Sequence, residues 1–352
     1  MPSRSRNLDS ERTGRTSSED TAPPSDGAWA VVLAGGDGTR LQRLTRQISG
    51  DTRPKQFCKL TGGDSLLRET SRRIAPLFTC DRQIYVVTRV HEPFYRDELS
   101  TSKAASVFEQ PSNRGTAVAI AVAALHLLNN EPDPFVVFFP SDHHYANESA
   151  FVEAISTALS YSRRNPKEIV LLAAEPHYPE VEYGWIEPGQ IIADVPAAQL
   201  LRVTGFWEKP SLTLARTLLR RRCLWNTFVT IGRAATFIDL LRSRLPDVVS
   251  SLELAVTNND LDRTYRGLPS VDMGREVFNP EPSRLLAFRD TESGWTDLGT
   301  PRRVFDTLAR NEVKPEWLSE ILLHYGALHV RENQTMSSDE VREGIALLAA
   351  TF

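Results

Sequence analysis

Along most of the chain, short continuous apolar runs alternate with stretches of helical periodicity. Residues 31–34, 83–87, 107–108, 135–139 and 169–173 read as strands, with a nearly all-apolar helix over 116–128 and another helix over 151–159. Strands this uniformly apolar are expected where both faces are covered. The alternation predicts an α/β fold: a Rossmann-like, mostly parallel mixed sheet with right-handed crossovers and helices on both faces. Ligands of such sheets bind at the carboxyl ends of the strands, so chemistry is sought in the strand-end loops.

Beyond about residue 180 the pattern becomes mixed. It predicts strands over 201–207 and 226–231, and helices over 212–222, 234–245 and after Pro246. Residues 288–295 lead back towards the site, and a helix over 301–310 has Pro301 in its first turn. Two amphipathic patterns follow, Trp317-Ile321-Leu322 and Val341-Ile345-Leu348, which read as a packing cap or a homo-oligomer contact. Residues 1–27 are rich in Ser, Arg, Asp, Thr and Pro and cannot bury enough surface to offset chain entropy. The expected organisation is a disordered tail (1–27), a catalytic domain (28–310) and a helical C-terminal extension (311–352).

Composition narrows the function classes. A net charge of −4 argues against wholesale nucleic-acid binding. No run of about 18 apolar residues is present for a membrane span, and the N-terminal segment lacks the apolar core of a secretory signal. Cys58, Cys80 and Cys223 are widely spaced, which fits a reducing compartment with neither a disulfide framework nor a zinc site. A cytoplasmic protein is expected.

The strongest chemical signal is Val31-Val32-Leu33-Ala34-Gly35-Gly36-Asp37-Gly38-Thr39-Arg40. Three glycines after a strand let backbone amides crowd around an anion, and Arg40 adds a planar cationic fork. Lys55, in Arg53-Pro54-Lys55-Gln56-Phe57, supplies a further cation. The loop lacks the Gly-Lys-Ser/Thr end of a P-loop and the third glycine of a dinucleotide fingerprint. A purely structural turn is the alternative. Asp142 follows the apolar run 135–139, and Asp297 lies between Trp295 and Gly299. Two carboxylates with triphosphate oxygens suit Mg²⁺, whereas each alone also fits a cap or a turn. Asp142-His143-His144 matches the signature of a phosphoesterase family too, but the remaining histidines lack its ligand spacing. Glu208-Lys209-Pro210, Trp225-Asn226 and Tyr183-Gly184-Trp185-Ile186-Glu187 offer a phosphate-binding cation and hydroxyl-binding groups at strand ends.

Taken in order, these segments, with Gln110-Pro111-Ser112-Asn113-Arg114-Gly115-Thr116, resemble the sugar-1-phosphate nucleotidylyltransferases, and among them the mannose-1-phosphate guanylyltransferase branch. The resemblance spans about residues 29–310 and implies the nucleotide-diphospho-sugar transferase type of fold. It also implies the reaction: a nucleoside triphosphate, GTP favoured, and a sugar 1-phosphate give a nucleotide-sugar and pyrophosphate. By it, Asp142 and Asp297 hold Mg²⁺, and Arg40 and Lys55 act on the triphosphate. Leu33, Ala34, Gly35, Gly36, Gly38, Thr39, Gln110, Arg114 and Thr116 bind the nucleotide. Tyr183, Gly184, Glu187, Glu208, Lys209 and Asn226 bind the sugar phosphate.

Two departures stand out. The branch usually has Arg-Asn-Thr where this chain has Arg114-Gly115-Thr116, and Trp-Asn-Ser-Gly where it has Trp225-Asn226-Thr227-Phe228. They leave open another base or hexose, or a non-catalytic paralogue that binds nucleotide-sugar and regulates a partner. The cupin-like domain of longer bifunctional relatives is absent from the sequence, so isomerase activity is not expected.

Overall fold

In the first strand, β1 (Trp29–Leu33), side chains alternate between two cores: Val31 enters one, Ala30 and Val32 the other. The pattern recurs in β2 (Gln83–Thr88), which pairs with β1 and with β3 (Ser106–Gln110). In β4 (Phe135–Pro140), Val136 and Phe138 face the first core while Val137 and Phe139 face the second. Both faces are covered, which is why these strands read as unbroken apolar runs. The computed structural model describes residues 27–100, 106–195 and 198–326.

The remaining strands are β5 (His144–Tyr145), β6 (Ile169–Ala174), β7 (Gly184–Val195), β8 (Ala198–Glu208), β9 (Leu224–Arg233), β10 (Leu285–Asp290) and β11 (Trp295–Thr296). Of the eleven strands among the described residues, nine form one sheet in the order β3-β2-β1-β4-β9-β6-β10-β8-β7, and β5 and β11 form a small ladder of their own. β3, β2, β1 and β4 are parallel neighbours, as are β6 and β10. β9 runs antiparallel between β4 and β6, and β8 antiparallel to β10 and β7, so only these two oppose the common direction. The expected mostly parallel mixed sheet is present. Helices Thr116–Asn130, Ala234–Arg244 and Pro246–Asn258 contribute to the first core, and Leu66–Ile74, Glu92–Ser100 and Glu148–Arg164 to the second.

Several boundaries differ from expectation for local reasons. The helix expected from 151 starts at Glu148, because Asn147 caps it through Oδ1, which accepts from the Ala150 amide at 3.1 Å. The helix expected to reach 222 ends at Arg220, and the chain turns through Arg222 at φ +58°. The 288–295 stretch is split between β10 and β11. Between them Asp290 Oδ1 accepts from the Glu292 and Ser293 amides and turns the chain.

A third apolar cluster joins Leu41, Leu44, Cys58 and Leu298 to Phe305 and Leu308 of helix Pro301–Arg310 and to Trp317, Leu318 and Ile321 of helix Glu316–Gly326. The Trp317 indole N–H donates to the Lys59 carbonyl at 3.1 Å. Helix Glu316–Gly326 therefore packs against the segments carrying Arg40, Lys55 and Asp297. The second amphipathic pattern, at 341–348, and the N-terminal tail before Gly27 lie outside the described residues. No helix among the described residues is long and apolar enough to cross a membrane.

Replacing Trp317 by Ala removes a buried aromatic and its hydrogen bond. The unfolding free energy in urea is expected to fall by about 3–5 kcal/mol, the usual cost of such a truncation. An unchanged midpoint would show that this helix adds nothing to the domain's stability.

Candidate active site

Asp142 and Asp297 are brought together by the β5–β11 ladder, in which Tyr145 pairs with Trp295 and His144 with Thr296. Lys55 closes the junction. Its ammonium lies 2.9 Å from Asp142 Oδ2 and donates to the Asp297 carbonyl, with the side chain only 6% exposed. Asp297 is buried, and its Oδ1 accepts from the Tyr183 hydroxyl at 2.7 Å and the Gly299 amide at 2.9 Å. Burial pushes both carboxyls up, but Lys55, helped at Asp297 by Arg303, outweighs it and holds both below the ordinary range. Both are carboxylates at neutral pH.

His143 is the next neighbour. The Trp295 indole N–H donates to its Nδ1 at 3.1 Å, which leaves the ring proton on Nε2, 3.8 Å from Asp142 Oδ1. Burial pushes its pKa down to about 4, so it is neutral.

The glycine loop is pinned from below. Gln56 donates to the carbonyls of Ala34 (2.9 Å) and Gly36 (2.8 Å), and Thr88 Oγ1 to that of Gly35 (3.0 Å). A Cβ on Gly35 would fall 2.8 Å from Thr88 Oγ1 and 2.9 Å from Gln110 Nε2, so a side chain here would have to displace both. Gly38, at φ +61°, allows the Lys55 amide to approach equally closely. Arg40 is exposed beside Thr39, its Nη1 2.9 Å from Glu182 and its Nη2 3.9 Å from Asp297 Oδ2. An open cleft of about 370 Å³ follows the loop, lined by Leu33, Gly35, Gly36, Gln110, Thr116 and Asp142 and walled by Phe228 and Asp272.

The Gly115 departure has a structural cause. Its backbone sits at φ +83°, ψ 171°, a region open essentially to glycine, and a Cβ there would lie 2.3 Å from the Val271 carbonyl. The Val271 amide donates to the Arg114 carbonyl at 2.9 Å, and the Met273 amide to Thr116 Oγ1 at 2.9 Å. Segment 271–273 is thereby sewn to this turn. At the second departure, Phe228 stands at φ +66°, where a bulky residue costs about 1–2 kcal/mol and glycine costs little.

A second polar group adjoins the first through Tyr183. Gly184, Glu208 and Asn226 converge: a Cβ on Gly184 would lie 2.9 Å from Glu208 Oε2 and 3.2 Å from Asn226 Cβ. Lys209 is half-exposed, its amide on the Tyr183 carbonyl (3.1 Å) and its ammonium 3.7 Å from Glu208. Burial, then the Asp272 carboxylate, pushes the Glu208 pKa up to about 7 against the pull of Lys209 and Arg275. Glu187 is not drawn into this group; its contact is Arg221 at 3.3 Å. Lys55 is buried between the aspartates and does not line the cleft.

Sequence reasoning assigned no role to Arg303, Asn113, Asp272 or Glu182. Asn113 donates to Asp37 of the glycine loop at 3.0 Å and accepts from the Gly115 amide at 2.9 Å. It sits inside a recognised motif and was open to such an assignment. Arg303, 3.1 Å from Asp297 Oδ1, carries no local signal.

Residues 29–312 match the family model described as nucleotidyl transferase. The chain is similar to a mannose-1-phosphate guanylyltransferase of Escherichia coli, 28% identical over 76% of this chain and 59% of that protein. It is also similar to the xanthan biosynthesis protein XanB of Xanthomonas campestris, 30% identical over 78% and 58%. The chain thus spans about three-fifths of the length of these curated relatives. Among solved structures, a mannose-1-phosphate geranyltransferase from Thermus thermophilus superposes with a TM-score of 0.70 at 29% identity, covering 82% of this chain and 80% of that one.

The raised Glu208 pKa has a sign that can be checked. Between its ordinary value of 4.5 and about 7 the folded chain holds a proton that the unfolded chain has released. That stabilisation is full below 4.5 and is lost as pH rises through about 7. Relative to wild type, Glu208→Gln is expected to gain about 2–3 kcal/mol between pH 5 and 8.5, measured by denaturant titration across pH. Parallel curves would show Glu208 ionising normally.

Proposed function

Because the chain belongs to the nucleotidyl transferase family, we propose that it joins a nucleoside triphosphate to a sugar 1-phosphate, with GTP and mannose 1-phosphate as the substrates. The observation that carries this reading is the convergence of Asp142 and Asp297 on Lys55, beside a glycine loop and an open cleft. The names of the relatives above support the choice of substrates.

In the proposed reaction a phosphate oxygen of the sugar 1-phosphate attacks the α-phosphorus of the triphosphate. The new P–O bond forms as the bond to the β-phosphate oxygen breaks, and pyrophosphate leaves. No covalent enzyme intermediate is needed, so the protein's task is positioning and charge stabilisation. Gly35 and Gly36 would offer backbone to the triphosphate, and Arg40 would exchange Glu182 for a phosphate oxygen. Gln110 and Thr116, which line the cleft, would meet the base, with Arg114 in the turn between them. Lys209 would meet the sugar phosphate, with Glu208 and Asn226 on the hydroxyls. Lys55 is assigned a changed part, holding the two aspartate loops together.

The donor set fits Mg²⁺ carried in on the triphosphate. Asp142 and Asp297 each have an oxygen outside the hydrogen bonds and ion pairs closest to them, and no three His, Cys, Asp or Glu side chains converge among the described residues. Two protein oxygens suit an ion that keeps substrate and water ligands. When bound, the ion would neutralise charge on the phosphates. A second reading, the same chemistry on another hexose or base, is favoured by Phe228, which walls the cleft from a strained backbone position.

A pyrophosphate-release screen of four triphosphates against several sugar 1-phosphates tests the choice of substrates. GTP with mannose 1-phosphate is expected to rank first; a higher rate with another pair selects the second reading. Ligand binding without turnover in every pairing would mark a regulatory paralogue. Asp297→Ala is expected to abolish turnover with the fold intact. Arg40→Ala should lower kcat by about 10²–10³, the scale of one charge-stabilising donor. Near-wild-type rates would remove either residue from its role.

A further inference from the structure

We infer that Arg303 is a positioning residue that leaves Asp297 a single free carboxylate oxygen, and so makes the site favour Mg²⁺ over Ca²⁺. The inference rests on the proposed role of Asp142 and Asp297. Asp297 Oδ1 is surrounded: the Tyr183 hydroxyl at 2.7 Å, the Gly299 amide at 2.9 Å and Arg303 Nε at 3.1 Å. Its two lone pairs take the hydroxyl and the amide, and Arg303 Nε, which makes no hydrogen bond among the described residues, adds a buried positive charge beside them that holds the carboxylate in this orientation. Oδ2 is left facing Arg40, at 3.9 Å.

Arg303 cannot swing away from this task. It is 9% exposed, its Nη1 is 2.6 Å from Glu180 Oε2, and its guanidinium lies over the Tyr183 ring at 4.7 Å. Its backbone amide donates to Thr300 Oγ1, the cap of helix Pro301–Arg310, at 3.3 Å. Gly299 makes the packing possible, since a Cβ there would lie 2.3 Å from Asp297 Oδ2 and 3.0 Å from Arg303 Nη2. The carboxylate is thus fixed with one oxygen spent and one offered. Ca²⁺ takes six to eight oxygens and often a bidentate carboxylate, whereas Mg²⁺ needs six in strict geometry and keeps its waters. A carboxylate that cannot become bidentate withholds what the larger ion gains from.

The test is calorimetry of inorganic tripolyphosphate binding to the full chain, in Mg²⁺ and separately in Ca²⁺, so that base, sugar and turnover play no part. Wild type is expected to bind more tightly in Mg²⁺. In Arg303→Met/Glu180→Gln, which removes one charge of each sign, the Mg²⁺/Ca²⁺ affinity ratio should fall by about tenfold, the scale on which partners of a metal ligand act. Tyr183→Phe deletes one donor to Oδ1 without changing charge and should move the ratio the same way by less. It keeps the inference falsifiable if the double variant does not fold. An unchanged ratio in the folded variants would overturn the role of Arg303 and leave the aspartate pair standing. Tripolyphosphate binding indifferent to either metal in wild type would overturn both.

Discussion

The site depends on one buried ammonium. Asp142 and Asp297 lie on loops far apart in sequence, and Asp297 adds to the unfavourable field at Asp142. Two carboxylates placed together in a poorly solvated crevice would force one to take up a proton. Lys55 removes that choice by bonding the side chain of one and the carbonyl of the other. Breaking such a buried pair by removing one partner is far more costly than the pair's net worth, because a bare charge is left behind. The same contact ties the ends of β4 and β11 to the segment that closes under the glycine loop.

Around this junction the fold spends large side chains on rigidity. Tyr183 packs edge-on against Trp225 and at a tilt against Trp295, at centroid distances of 5.2 and 5.0 Å, linking β9 and β11 at the start of β7. Its hydroxyl reaches Asp297, so the aromatic cluster and the carboxylate are one packed unit. Gly115 and Phe228 are the reverse of each other. At 115 the backbone requires glycine and has it; at 228 the backbone favours glycine and carries phenylalanine. Strain of that kind persists only where neighbours over-determine the conformation, and here Thr227 Oγ1 on the Leu172 carbonyl (2.7 Å) and Asn226 Oδ1 on the Phe228 amide (3.1 Å) do so.

Strands covered on both faces were legible because their composition alone betrays them. β9 was legible as a strand, but its direction was not: nothing in an apolar run says which way it will lie between β4 and β6. Of the hairpin of β7 and β8 only 201–207 was expected as strand; in β7, Pro188 and Gly189 interrupt the pattern, and the ladder passes them only with shifts of register. Chemistry carried by contiguous motifs could be read, since the glycine loop, Asp142 and Asp297 each announce themselves locally. Glu182 could not, because its partner Arg40 lies 142 residues away, and Arg303 could not, because the Glu180 that holds it beside nearby Asp297 lies 123 residues away. Glu187, carried over on resemblance, pairs with Arg221 in this fold.

Charge balance ties these observations to the proposed chemistry. Lys55, Arg40 and Arg303 face Asp142, Asp297, Glu180 and Glu182, so the described array is close to neutral before any substrate enters. Such an array has little net attraction for a lone divalent cation and little for a lone triphosphate. Together, the two bring charge of both signs: the cation meets the aspartate oxygens while the phosphates meet the amides and Arg40. Glu182 then has to give up Arg40, and because that pair is exposed its loss costs at most about 1 kcal/mol. The buried pairs, Lys55 with the aspartates and Arg303 with Glu180, remain as the fixed frame against which that exchange takes place.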